Sequence, residues 1–247
     1  MNKVNILIFH DIVKKKINNW ADVSMDFFNE FLLTSLRHNK QSSSIINYGL
    51  GSKNSTIITF DDGKLSNYKL AFPKLLELNM SATFFICPEN INKKDFLTWA
   101  MVNEMADHGM EIGSHSMSHP FLSLLRKEEV EYEAQKSKDI IEQNIGQEVV
   151  SFAYPYGDFS RTTDFILKSA GYKYICTSKP GFSDLDSTFL RRNSVHSNIS
   201  IGEIDSLINP SRLRFMKDVI NYSLRRSLKE IIGPKNYMSL KRYIYEK

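Results

Sequence analysis

Two histidines four residues apart, His115 and His119, follow directly on the apolar run Met110–Ser114, and two adjacent acids, Asp61 and Asp62, follow directly on Thr56–Phe60. Imidazoles at this spacing fall on one side of a helical turn, where both can face one cation. Carboxylates placed side by side repel each other and call for a positive partner. Neighbours along an extended chain point to opposite faces, so both acids reach one site only if the chain bends there, which Gly63 permits. One Asp with two His leaves a fourth position open for water, the pattern of catalytic rather than structural zinc, and the second Asp is then free to act as a base.

Such residues need elements that hold them together. Apolar, β-rich runs predict strands at Val4–Phe9, Ser44–Tyr48, Thr56–Phe60, Ala82–Cys87, Met110–Ser114, Val149–Tyr154 and Tyr172–Ser178. Helical patterns lie between them near 25–37, 66–78, 99–108, 126–144 and 161–170, with Ser24 as a start signal and Gly109, Gly146 and Gly171 as stops. Near-continuous apolar strands, each followed by a helix, imply an α/β fold with a mostly parallel sheet or barrel. In both architectures chemistry sits at the carboxyl ends of the strands. Asp61-Asp62-Gly63, the segment from His115 to His119, and Pro155-Tyr156-Gly157 all fall at that edge.

Composition sets the outer limits. The 247 residues are 42% hydrophobic and 24% charged, an ordinary globular balance that excludes a disordered chain or a disulfide-stapled mini-fold. Cys87 and Cys176 lie in apolar runs and are expected as buried thiols. The opening residues are too soon charged for a secretory signal, and no window approaches a membrane span, so a cytoplasmic location is expected. The net charge of +4 hides an asymmetry: residues 211–247 hold ten Lys/Arg against three Asp/Glu.

Three stretches carry a specific likeness. Thr59-Phe60-Asp61-Asp62-Gly63, Ser114 to His119, and Phe152-Ala153-Tyr154-Pro155-Tyr156-Gly157 resemble, in order, the first three motifs of the polysaccharide deacetylases, also called carbohydrate esterase family four or the NodB-homology domain. Ser81 to Ile86, His108 to Gly113 and Phe9-His10-Asp11 agree as well, so the resemblance covers roughly residues 4–200, and FAYPYG is like a branch acting on surface glycans. It implies a distorted (β/α) barrel that removes acetyl groups from N-acetylated sugars with a divalent metal, most often zinc. By motif, Asp62, His115 and His119 are the implied metal ligands and Asp61 the general base, and the backbone N–H of Tyr156 helps hold the oxyanion.

The chain departs from that pattern in places. Many members carry Arg in the third motif, where this chain has Ala153, and that Arg holds the catalytic Asp; Arg191 or Arg192 can substitute from another loop. Arg192 is also counted, with Tyr154, Pro155 and Tyr156, among the substrate-binding candidates. The fourth motif is not clearly present, and Asp184 and Asp186 read as loop acids. His196, in Val195-His196, is the nearest match to the fifth motif and the candidate proton donor, with His10 as rival. Tyr48, Tyr154, Tyr156 and Trp99 are aromatic candidates for stacking on a sugar ring, Trp99 fitting the core better.

A boundary near 208 divides a catalytic domain, 1–208, from a basic helical extension, 209–247. In the extension Leu213, Met216, Ile220, Leu224, Leu228 and Ile231 recur at helical spacing among Arg and Lys, and Gly233-Pro234 ends the helix before a second short one. The extension reads either as a helical hairpin docked on the barrel or as a basic amphipathic helix on an anionic membrane, at its inner face. No nucleic-acid motif is present, so the expected partner is an N-acetylated sugar or glycan. Rival readings are a glycan-binding protein with a decayed site, a deacylase of a non-sugar amide, and a membrane scaffold.

Overall fold

The computed structural model describes residues 3–14, 17–48, 56–184 and 186–245. Eight strands run parallel within a ten-stranded sheet: β1 (Lys3–Phe9), β2 (Thr56–Phe60), β3 (Thr83–Ile86), β4 (Glu111–Ser114), β5 (Ser151–Ala153), β6 (Tyr174–Cys176), β7 (Phe189–Leu190) and β8 (Asn193–Ser194). Their spatial order is β7-β6-β5-β4-β3-β2-β1-β8. Only Arg191 and Arg192 separate β7 from β8, so one bent segment carries both edges of a nearly closed barrel. Two further short strands join the sheet, Ser42–Ser43 beside β2 and Ser183–Asp184 beside β1.

Helices α1 (Met25–Arg37), α2 (Phe72–Glu77), α3 (Trp99–Asp107), α4 (Lys127–Ile145), α5 (Arg161–Ser169) and α6 (Ile204–Ile208) complete the α/β arrangement. The Ser24 hydroxyl accepts the Phe27 N–H at 3.1 Å and starts α1 as its sequence implies. Gly146 ends α4 in the left-handed region at φ 67°. The expected helix at 66–78 opens as a π-turn, Asn67–Ala71, before α2.

Strand alternation divides the core into two layers. Val4, Ile6, Ile57, Phe85, Ala153, Cys176 and Leu190 pack together as one layer. Phe9, Phe60 and Phe84 pack in the other, with α1; Phe9 meets Phe28 edge-on at 5.4 Å. Gly113 lets β4 approach this packing, because a Cβ there would stand 2.6 Å from the Phe85 ring. Cys87 and Cys176 are buried and free, and burial pushes the Cys176 thiol up to about 12.

One expected strand is not there. Residues 44–48 form a turn in which the Ser44 hydroxyl accepts the Asn47 N–H at 3.3 Å and the Ser44 carbonyl accepts the Tyr48 N–H at 3.1 Å. The serine supplies its own backbone partner, and the apolar residues that follow belong to the turn rather than to a strand.

Beyond Ile208 two more helices follow, α7 (Arg212–Ile232) and α8 (Pro234–Tyr245). No helix among the described residues is long and apolar enough to cross a membrane.

Candidate active site

Because the eight strands are parallel, their carboxyl ends share one rim. β2 delivers Asp61 with its N–H on the Phe9 carbonyl at 3.0 Å, still extending the ladder with β1. The chain then turns sharply: Asp62 and Gly63 both adopt left-handed backbone, at φ 74° and 67°. The bend begins one residue earlier than glycine alone would place it, and a non-glycine residue held there stores strain of roughly 1–3 kcal/mol. That bend brings both acids to the same side.

Asp61 is held by Arg192. The guanidinium donates to both carboxylate oxygens, at 2.7 and 2.8 Å, and to the Thr59 hydroxyl at 3.0 Å and the Thr177 carbonyl at 3.3 Å. Arg192 is 0% exposed and its charge lies over the Phe85 ring at 5.1 Å. Burial works to raise the Asp61 pKa, but the Arg192 charge, His115 and the two hydrogen bonds outweigh it and hold the carboxyl below its usual value.

Asp62 faces the histidines, its Oδ1 standing 3.5 Å from His115 Nε2 and 3.2 Å from His119 Nε2. One ligand atom from each of the three residues lies within 4.8 Å of the others. His115 Nδ1 donates to the Ala153 carbonyl at 2.7 Å, which fixes the ring and leaves Nε2 as the atom with a lone pair. Two imidazole nitrogens and a carboxylate oxygen suit a divalent transition metal with positions left open. Burial works to raise the Asp62 pKa, but hydrogen bonds with both histidines outweigh it and hold the carboxyl well below its usual value.

Residues 115–119 form a loop, not the helical turn that their spacing suggests. Ser116 and His119 sit at φ 64° and 61°. Glu133 of α4 collects this loop: its carboxylate accepts the N–H groups of Met117 and Ser118 at 2.8 and 2.9 Å and the Ser118 hydroxyl at 2.6 Å. The two rings still converge, with centroids 4.9 Å apart.

The site opens into a cleft of about 1120 Å³. Tyr156, at φ 57°, packs edge-on against His119 and stacks on Phe121 at 4.1 Å. Across the cleft His196 stacks on Trp20, with centroids 4.6 Å apart. Helix α7 supplies a further wall through Arg214, Asp218, Tyr222, Arg225 and Lys229. Lys229 pairs with the buried Asp158 at 2.7 Å and Arg225 lies over Trp20 at 5.6 Å, so α7 touches both sides of the opening.

Residues 49–175, which hold both acids and both histidines, match the family model described as polysaccharide deacetylase. The chain belongs to this family. Among curated proteins the chain is 33% identical over 135 residues to YxkH of Bacillus subtilis, covering 55% of the chain and 48% of YxkH. It is 32% identical over 108 residues to a peptidoglycan-N-acetylglucosamine deacetylase of Bacillus cereus, covering 43% of the chain and 38% of that enzyme. The chain thus spans half or less of the length of these relatives. Solved structures share its fold: the Streptococcus pyogenes deacetylase PplD superposes with a TM-score of 0.77 at 24% identity, over 84% of this chain and 99% of PplD. BC0361, a polysaccharide deacetylase from Bacillus cereus, does so with 0.75 at 24% identity, over 83% and 69%.

Within this deacetylase fold the expected residues divide. Asp61, Asp62, His115, His119, Tyr156 and His196 all line one cleft, as does His10. Arg192 does not fit its expected place among the substrate contacts, because it is wholly buried on Asp61; it takes instead the part of the arginine absent at Ala153. Pro155 is buried and unsuited to sugar contact. Tyr154 is 1% exposed and spends its hydroxyl on Asp164 at 2.7 Å, so its ring is core even though the residue borders the cleft. Trp99 packs on the core at the start of α3, and Tyr48 packs against the smaller of the two core layers. Trp20, Phe121 and Glu133 are the residues that the sequence pattern does not single out, since none lies within a motif.

Proposed function

We propose that the protein removes the N-acetyl group from an acetamido sugar of a glycan or glycan precursor and releases acetate, with zinc held by Asp62, His115 and His119. The observation that carries this reading is the pairing, on one rim, of a carboxylate locked to an arginine with a second carboxylate facing two histidines. A zinc ion there supplies a Lewis acid for the amide oxygen and brings the pKa of bound water to about 7.

The protein's own groups do the rest. Asp61, kept ionised by Arg192, has a lone pair left on each oxygen and takes the proton of the attacking water, a contribution of about 10²–10⁴-fold. Arg192 positions that carboxylate and does not touch substrate. The Tyr156 N–H donates to the oxyanion, an interaction of the kind worth roughly 3–4 kcal/mol. His196, its ring braced by Trp20, gives a proton to the departing amine. In this reading residues 1–208 are the catalytic domain and 209–247 an extension that completes one wall of its cleft.

The Arg192 to Asp61 pair also answers one of the grounds for reading the site as decayed, Ala153, the others being the indistinct fourth and fifth motifs. Asp61→Asn is expected to abolish acetate release from N-acetylated oligosaccharides while elemental analysis still finds about one zinc per chain. His115→Ala/His119→Ala is expected to lose the zinc. Full turnover in Asp61→Asn would overturn the assignment of the base, and no metal uptake by the wild type would overturn the reading as a whole.

A further inference from the structure

Helix α7 is turned the opposite way from an ordinary surface helix. Leu213, Met216, Ile220, Leu224, Leu228 and Ile231 form one stripe along it, and all six are exposed, from 39% at Leu228 to 81% at Ile231. The other face holds the contacts with the barrel: Phe215 packs edge-on against Phe182 at 4.6 Å, Arg226 lies over Phe159 at 5.1 Å, and Lys229 reaches Asp158. A surface helix normally buries its apolar stripe and exposes its charges. A contiguous apolar stripe left outside marks a surface that something covers.

The charge around the stripe says what. Residues 211–247 carry a net +7, and exposed Arg212 and Lys217 lie on the same helix outside the cleft lining. A second copy would bring the same positive charge against the first. An anionic bilayer complements both features: the aliphatic side chains enter the boundary between headgroups and acyl chains, and each basic residue near the surface adds about fivefold to binding. Leu240 and Tyr243 of α8 are exposed as well.

We infer that the exposed face of α7 docks on an anionic phospholipid bilayer, the helix lying in the interfacial plane. Its inward face is untouched by this contact, so the cleft stays assembled and is held about one helix diameter, roughly 10–12 Å, from the headgroups. The docking surface stands whatever the cleft does. Its consequence for substrate rests on the proposed deacetylation: the enzyme works on N-acetylated sugars tethered to the membrane surface.

Flotation of the full chain with phosphatidylglycerol/phosphatidylcholine vesicles, and with phosphatidylcholine alone, tests the inference. Wild type is expected to float with the anionic vesicles only and to be released in part by salt. Ile220→Glu/Leu224→Glu is expected to lose more than about tenfold in partitioning, with an unchanged circular dichroism spectrum and unchanged acetate release from a soluble oligosaccharide. Wild type that fails to float, or a double variant that floats equally well, overturns the docking. So does a wild-type dimer that never floats and that the double variant turns into a monomer, since a second copy then covers the stripe. Protein that floats but releases no acetate from any N-acetylated sugar counts against the proposed function and leaves the docking standing.

Discussion

The centre of the barrel buries Asp61, Arg192 and His115, whereas α7, along the rim of the same cleft, leaves six aliphatic side chains in water. Both arrangements run against the ordinary partition of polar and apolar groups, in opposite directions. Inside, each buried charge has a partner: a bidentate arginine for Asp61, and Asp62 for the histidines. Outside, the aliphatic stripe is left uncovered by the described residues. A buried charge tolerated by its partners belongs to a site built to act within the molecule, and an apolar face left uncovered belongs to a contact made outside it.

Taking away one partner should show the contrast most strongly. Arg192→Met leaves Asp61 buried beside no arginine and is expected to cost about 3–5 kcal/mol in urea unfolding; adding Asp61→Asn should return part of that loss. If the single variant is as stable as wild type, the pair is not what keeps the charge tolerable. The same truncation at two leucines gives the next largest difference. Leu7→Ala, at a wholly buried position, should cost about 2–5 kcal/mol, and Leu224→Ala, at 65% exposure, less than about 0.5 kcal/mol. Equal losses would mean that α7 packs its stripe inward in solution.

Glu133→Gln probes the loop beneath the histidines. It keeps the size of the side chain but weakens the bonds to Met117 and Ser118, and zinc affinity measured by competition with a chelator should fall about tenfold. The smallest effect belongs to Glu111, whose carboxylate has neutral partners: the Ser151 hydroxyl at 2.5 Å, the Thr83 hydroxyl at 2.7 Å and the Ile46 N–H at 3.0 Å. Without a cation, burial pushes its pKa up despite those bonds, the reverse of Asp61. The folded chain therefore holds the proton to higher pH than the unfolded one, and stability declines as pH rises from the ordinary carboxylate value through the raised one. Glu111→Gln should flatten that decline in chemical unfolding followed across pH.

The motifs at strand ends are legible because each couples a chemical residue type to an apolar run of fixed length, as at Thr56–Phe60 before Asp61. Parallel strands then carry those ends to one rim without further information. The histidine pair is found through a helical spacing, yet its convergence comes from two left-handed residues and from Glu133, fourteen positions beyond His119, with no local pattern linking them. Arg191 and Arg192 are open alternatives in the sequence; the bend between β7 and β8 decides for Arg192, and two-residue strands give no periodicity to read. Tyr154 and Pro155 are misread because a motif reports proximity to a site and not which way each ring faces. The outward turn of α7 is equally hidden, since periodicity finds an apolar stripe but not its partner.

The bend that closes the barrel also governs how the chain is assembled. Arg192 follows Asp61 by 131 positions, and the β8 strand just after it pairs with β1 at the start of the chain. Contacts of such long sequence separation form late and slow folding. During synthesis, the chain up to β6 can lay down six parallel strands, but the counter-charge for Asp61 has yet to be made. Until that arginine arrives, burying the Asp61 carboxylate is unfavourable, which favours leaving this end of the barrel open in a partly synthesised chain. The same bend thus supplies both the counter-charge for Asp61 and the strand that closes the ring.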